Sequence, residues 1–205
     1  MSFASPRIAL ENMVIARDVL AQRGVAIFLN FGTLLGAIRE RGFIAHDHDV
    51  DMGLFEKDRA AFMAAIPALA ARSLVVTTQI LPESTLITTM RGGESLDFFF
   101  ARPLTGFWRR RWDLDDFSRV AAVHLDGLDE IDFLGERFKI PRESEAMLRQ
   151  LYGKTWRIPI EGKMARVGLG VRFAAAFRSP GYTIRAIPTF VRKRLGWASA
   201  AWRNK

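Results

Sequence analysis

Three aspartates, Asp47, Asp49 and Asp51, occupy alternate positions in the segment HDHDVD, and a fourth, Asp97, lies within the apolar run ESLDFFF at 94–100. In an extended chain Asp49 and Asp51 project from one face about 7 Å apart, because strand side chains alternate with period two. Carboxylates held a few ångströms apart repel by roughly 1 kcal/mol per pair in water and several-fold more when partly desolvated. A hard divalent cation such as Mg²⁺ relieves that repulsion. Taken alone, such a segment is ordinarily a solvated acidic turn. Asp97 shares a strand face with Ser95 and Phe99, opposite Leu96, Phe98 and Phe100, and a carboxylate in so apolar a strand needs a partner. Just upstream of the acidic run, GTLLGAIRER carries Arg39 and Arg41, which cannot share a helix face two residues apart.

The elements that must hold these residues are read from capping and periodicity. Ser5-Pro6, the apolar series Ile8, Ala9, Met13, Ala16 and Leu20, and a closing Gly24 predict a helix with Ser5 as N-cap. VAIFLNF at 25–31 predicts a buried strand that delivers the chain to Gly32-Thr33, where a second helix begins and runs to about Arg41. Phe43 and Ile44 lead into the acidic strand. Residues 56–73 predict a helix that Pro67 kinks or divides. SLVVTTQIL, STLITTMR and ESLDFFFAR predict three strands, parted by Pro82-Glu83 and by Gly92-Gly93. Residues 106–117 predict a surface loop or short helix, with Arg109, Arg110 and Arg111 on a solvated face between Trp108 and Trp112. AAVHLDG predicts a strand, DEIDFLGERFKIPR a hairpin turning near Gly135, and RESEAMLRQLYG a helix that buries Leu148, Leu151 and Tyr152. Beyond Trp156 only a helix around 188–203 is predicted.

The chain has 205 residues, 49% of them hydrophobic and 16 of them Phe, enough for one well-buried domain. It has no Cys, which excludes a disulfide scaffold and any zinc–thiolate module. No basic stretch followed by an apolar core opens the sequence, and no apolar run approaches the length of a membrane span. Neither secretion by that route nor a spanning topology is expected. The formal net charge of +8 divides into minus 3 over residues 1–153 and plus 11 over 154–205. Arg192-Lys193-Arg194, with Trp197 and Trp202 nearby, reads as a tail that attaches reversibly to an anionic membrane surface.

GTLLGAIRERGFIAHDHDVDMGL at 32–54 resembles the opening motif of the LicD/fukutin family, nucleotidyltransferase-fold proteins that usually show GTLLGavR, a glycine-containing turn, Ile-Pro-Trp and an acidic run ending Asp-x-Asp. ESLDFFF resembles that family's second short acidic strand. LYGKTWRIP at 151–159 resembles its closing Tyr-Gly-x-x-Trp-x-x-Pro signature. The motifs stand in the family's order. The departures are Ala45 and His46 in place of Pro and Trp, and His48 inside the acidic run.

The resemblance implies an α+β fold, a small mixed sheet flanked by helices, with residues 1–158 as a nucleotidyltransferase-like catalytic domain and 159–205 as a basic, aromatic extension. It implies that Asp49, Asp51 and Asp97 are catalytic and share Mg²⁺ or Mn²⁺, Asp97 also being placed to take a proton from an acceptor hydroxyl. Gly32, Thr33 and Arg39 are then the donor's phosphate contacts, at a helix N-terminus and one face below it. Asp47 reads as either a supporting carboxylate or a turn residue. His46 and His48 are expected at the surface or in support, since magnesium prefers oxygen. Tyr152 and Trp156 read as core aromatics. The implied activity moves a phospho-alcohol (phosphocholine, ribitol phosphate or glycerol phosphate) from a CDP-linked donor to a hydroxyl of a cell-surface glycan or its lipid-linked precursor. The alternatives are a nucleotidyltransferase adding NMP from an NTP, and a non-catalytic adaptor that binds membrane or nucleic acid through its tail. Nucleic acid is not the expected partner, and the expected location is cytoplasmic, peripheral at the inner face of the membrane.

Overall fold

The computed structural model of the chain describes residues 3–45, 47–78, 85–104, 110–116 and 118–159. His46, Trp108, Arg109 and the basic tail from residue 160 onward, with its expected helix, lie outside the described residues.

Helix α1 (Pro6–Ala21) begins as its sequence requires: the Ser5 side chain accepts a hydrogen bond from the Ile8 N–H, and Pro6 occupies the first turn, where its missing donor costs nothing. Strand β1 is only Phe28–Leu29, shorter than the expected strand at 25–31. Phe31 takes a left-handed φ of 36° and already opens helix α2 (Phe31–Arg39), so Gly32 and Thr33 lie inside its first turn. Strand β2 (Asp49–Phe55) follows, then a 3-10 turn at Glu56–Asp58 and helix α3 (Arg59–Ala71). Pro67 does not divide α3, whose Phe62, Ala65 and Leu69 are buried in the core. That burial outweighs the roughly 3 kcal/mol that an interior proline costs a helix.

Strand β3 keeps only Val75–Val76 of the predicted 73–81, part of which is outside the described residues. Strands β4 (Leu86–Arg91) and β5 (Glu94–Leu104) form a hairpin across Gly92-Gly93, both at positive φ. β5 runs past the predicted end at 102, and strand β6 (Arg111–Asp113) pairs with that extension, in place of the expected loop or short helix. Strand β7 (Arg119–Ala121) pairs with β6 and gives way to a 3-10 turn at Ala122–Leu125, so the predicted strand at 121–127 is absent. Strands β8 (Leu128–Phe133) and β9 (Glu136–Pro141) form the expected hairpin, with Leu134 and Gly135 both at positive φ as a tight two-residue turn requires. Helix α4 (Ser144–Tyr152) follows.

The main sheet runs β3-β4-β5-β2-β1-β9-β8, with β6 and β7 attached to the far end of β5. It is mixed: β2 pairs with β5 and β1 with β9 in parallel, while the other pairs are antiparallel. The expectation of a mixed sheet flanked by helices holds. On one face Met13 and Leu20 of α1 and Phe62 of α3 bury Met52, Leu54, Phe98 and Phe100. The Phe62 ring stands 4.9 and 5.3 Å from those of Phe98 and Phe100. The opposite face carries a second apolar cluster of Phe28, Ala101, Leu114, Val120, Leu125 and Met147, bordered by Phe31, Phe55 and Trp112. There Phe28 lies directly over Gly53, where any β-carbon would fall 2.2 Å from its ring. Each fully buried phenylalanine stabilises the fold by about 1.5–3 kcal/mol. The two clusters together offset the several kcal/mol that each desolvated carboxylate between them costs.

Candidate active site

The site begins where α2 leaves β1. Three hydrogen bonds tie residues 30–33 to Asp51: the Asn30 N–H donates to the Asp51 carbonyl (3.1 Å), the Asp51 N–H to Thr33 Oγ1 (2.9 Å), and the Gly32 N–H to Asp51 Oδ2 (2.9 Å). Phe31, at its unusual φ, makes an edge-on contact with Phe99, ring centroids 4.9 Å apart. The first turn of α2 thus aims one backbone N–H at a carboxylate, the interaction that a helix N-terminus makes best.

Parallel pairing supplies the second half. In the β2–β5 register Asp51 stands opposite Asp97 and Asp49 opposite Ser95, and in the β5–β4 register Thr88 stands opposite Asp97. Thr88, Asp97 and Asp51 therefore form one row across three strands, with Asp49 two residues along on the same face. Ligand oxygens of Asp49, Asp51 and Asp97 all lie within 4.8 Å of one another. Asp51 is buried, and Asp49 and Asp97 are half-buried. At an effective dielectric of about 20, two full charges at that range repel by about 3–4 kcal/mol. Gly32 faces the same cluster: a β-carbon there would fall 2.5 Å from Asp47 Oδ2 and 3.1 Å from Asp51 Oδ2.

Each carboxyl responds to this crowding. Burial, followed by the charges of Asp49, Asp47 and Asp97, holds Asp51 well above the usual carboxylate range, against the pull of the Gly32 N–H. Burial and then the hydrogen bond and charge of Asp49 push Asp47 up to about 7. Burial pushes Asp97 up to about 6, with a Thr88 hydrogen bond opposing it and the Asp49 charge adding to it. Oδ1 of Asp97 is buried with no hydrogen-bond partner. An all-oxygen set, crowded charge and an orphaned carboxylate oxygen fit a hard divalent cation.

A pH dependence follows. These carboxyls have folded-state pKa values above their ordinary one, so their ionised forms destabilise the fold. The penalty is absent in acid and grows as pH rises from about 4 through about 7. The metal-free protein is expected to melt lower at pH 8 than at pH 5. At pH 8, Mg²⁺ or Mn²⁺ at 100 times its Kd should return about 2.7 kcal/mol, a rise of about 5–10 °C. A melting temperature at pH 8 that ignores both ions would count against a cation site.

The remaining expected contacts are placed differently from one another. Gly32 and Thr33 adjoin Asp51, but Thr33 is 2% exposed and its oxygen accepts the Asp51 N–H. Arg39 lies two helical turns from Gly32 on the same face, its guanidinium donating to Glu40 Oε1 (2.6 Å) and the Trp156 carbonyl (3.1 Å). Arg110 and Arg111 are exposed, as expected, whereas Trp112 packs 5.1 Å from the Phe55 ring.

Tyr152 packs against the core, as expected, and its phenol is held far above the ordinary tyrosine range by burial and by the charges of Asp51, Asp47 and Asp115, with Arg39 opposing. One residue was missed by sequence reasoning. Asn30, the N-cap of α2, is fully buried with both side-chain polar atoms unpartnered and makes no cap hydrogen bond. The available signal was that it is the one polar residue in VAIFLNF.

Residues 24–143 match the family model described as LicD/FKTN/FKRP, nucleotidyltransferase domain. The chain is 27% identical over 162 residues to the Ribitol-5-phosphate transferase FKTN of Mus musculus, a match covering 75% of this chain and 34% of that protein. The Homo sapiens protein of the same name is 25% identical over 158 residues, with 75% and 34% covered. The chain thus spans about a third of the length of these relatives. Among solved structures it is similar to the antibiotic-resistance factor ANT(2'')-Ia, with a TM-score of 0.50 at 15% identity over 93% of this chain and 95% of that one. That likeness is one of fold.

Proposed function

Because this chain belongs to the LicD/FKTN/FKRP nucleotidyltransferase-domain family, we propose that it is a metal-dependent transferase that moves a phospho-alcohol from a CDP-linked donor to a hydroxyl of a glycan or lipid-linked glycan. The observation that carries the reading is the convergence of Asp49, Asp51 and Asp97 across the parallel β2–β5 pair, with their ligand oxygens within 4.8 Å. Among the donor alcohols, ribitol phosphate is favoured by the name of the FKTN relatives. Phosphocholine and glycerol phosphate are the other members of the class.

In this reading Asp49, Asp51 and Asp97 hold Mg²⁺ or Mn²⁺. Such an ion, when bound, neutralises charge on the phosphoryl oxygens and on the departing nucleotide. The chain does the rest. Gly32 leaves room for the donor's phosphates beside the first turn of α2, and Thr33 fixes Asp51 through its backbone. Arg39 keeps a cation two turns below to face the diphosphate. Asp97, opposite Asp51 across the parallel pair, takes the proton of the acceptor hydroxyl as its oxygen attacks the phosphorus bearing the alcohol, and CMP departs. Among the described residues no helix is long and apolar enough to cross a membrane. Attachment to an anionic surface is assigned to the basic tail.

The test is titration of CDP-ribitol, CDP-glycerol, CDP-choline and ATP into the purified protein with and without Mn²⁺ or Mg²⁺, with CMP and pyrophosphate assayed in parallel. Metal-dependent binding of one CDP-alcohol and CMP release with an added glycan acceptor are expected. Pyrophosphate release from an NTP, with every CDP-alcohol inert, would replace this reading by nucleotidyl transfer.

A further inference from the structure

We propose that His48 adds an imidazole nitrogen to the cation centre, so that the centre prefers a first-row transition ion, with Mn²⁺ as the test ion, over Mg²⁺. The inference rests on the reading of the aspartates as cation ligands. Beside the Asp49, Asp51 and Asp97 set, a second set of ligand atoms from Asp47, His48 and Asp49 lies within 4.8 Å, and Asp49 belongs to both. The nitrogen is therefore not a remote neighbour but a donor alongside a shared carboxylate.

Strict strand alternation would send His48 to the face opposite Asp47 and Asp49. It is not enforced here, because β2 begins only at Asp49. Residues 47 and 48 come off a turn in which the Asp47 N–H donates to the Ile44 carbonyl (3.0 Å), and Asp47 Oδ1 accepts the His48 N–H (3.2 Å). A His48 ring nitrogen lies within 4.8 Å of ligand oxygens of Asp47 and Asp49. His48 is exposed, and among the described hydrogen bonds none engages its ring, so rotation into coordination displaces nothing.

The chemical consequence is a change of selectivity. Mg²⁺ takes oxygen ligands and holds its waters, whereas Mn²⁺ and the later first-row ions accept imidazole with carboxylate. A site of aspartates alone separates Mn²⁺ from Mg²⁺ weakly. One nitrogen donor shifts the preference by about tenfold or more.

The experiment titrates Mn²⁺ and Mg²⁺ separately into the whole chain by calorimetry and records the electron spin-echo of the Mn²⁺ complex, for wild type, His48→Ala and His48→Asp. Nitrogen modulation is expected on the wild-type echo and in neither variant. The Mn²⁺-over-Mg²⁺ preference should fall by about tenfold in His48→Asp, which returns an oxygen ligand and retains Mg²⁺ binding. A wild-type echo without nitrogen modulation, or modulation that survives in His48→Ala, would overturn the assignment while leaving the carboxylate site intact. If neither ion binds wild type, the cation reading itself fails, and this inference with it.

Discussion

Asp51→Asn is expected to lower turnover by about 10³-fold or more, equivalent to ~4 kcal/mol of lost transition-state stabilisation, while raising the melting temperature of the metal-free protein at pH 8. The two effects have one origin. Asp51 is the most deeply buried of the cluster, and its charge stands against those of Asp49, Asp47 and Asp97. Asparagine has the same shape, keeps an oxygen to accept the Gly32 N–H, and removes one of the mutually repelling charges. The stability gain should vanish when a divalent cation is added, because wild type is then stabilised and the variant is not. Circular dichroism melts and a CMP-release assay on the same preparations measure both. Full activity in a folded Asp51→Asn protein would remove the cluster from the chemistry.

Gly32→Ala is expected to cost about 10²-fold in turnover, and a comparable share of metal affinity, with folding stability changed by no more than about 1 kcal/mol. Gly32 is in the first turn of α2 at a φ open to any residue, so alanine is admissible for the backbone and favoured by the helix. What alanine does not have is space. Its methyl would fall 2.5 Å from Asp47 Oδ2, a separation that one of the two groups must relieve by moving. The displaced group is a carboxylate that neighbours the proposed cation set and donor site. Unchanged kcat and metal affinity would mean that Asp47 swings aside freely and that the glycine serves only the turn.

Much of this site was legible in the sequence because its parts are local. The Asp-x-Asp spacing, the Ser5-Pro6 cap and the Gly135 hairpin each follow from a handful of neighbouring residues, and each is present. The places where the reading failed depend on distant partners. β1 is short because Phe31 turns sharply to meet Phe99, a contact across 68 residues that no local pattern encodes. β6 exists because β5 runs on to Leu104 and offers an edge, so RWD becomes a strand by pairing and not by propensity. Ala122–Leu125 winds into a 3-10 turn that brings His124 Nε2 2.9 Å from Gln150 Oε1, again a tertiary contact. Tyr152 was read as packing and does pack against the core. His48 is exposed, as expected from the sequence.

The parallel pairing of β2 with β5 also governs how the protein comes into being. Asp51 and Asp97 meet only after the chain between them has formed a helix and a hairpin and returned, so the cluster is a non-local contact. An unfolded chain offers a cation only the Asp47–Asp51 segment, too mobile and too few in ligands to hold it well. On the proposed cation reading, an ion would therefore bind after the sheet has closed. Such an ion would not guide early folding; it would act as a late latch that slows unfolding and makes the lifetime of the folded state depend on the surrounding metal concentration.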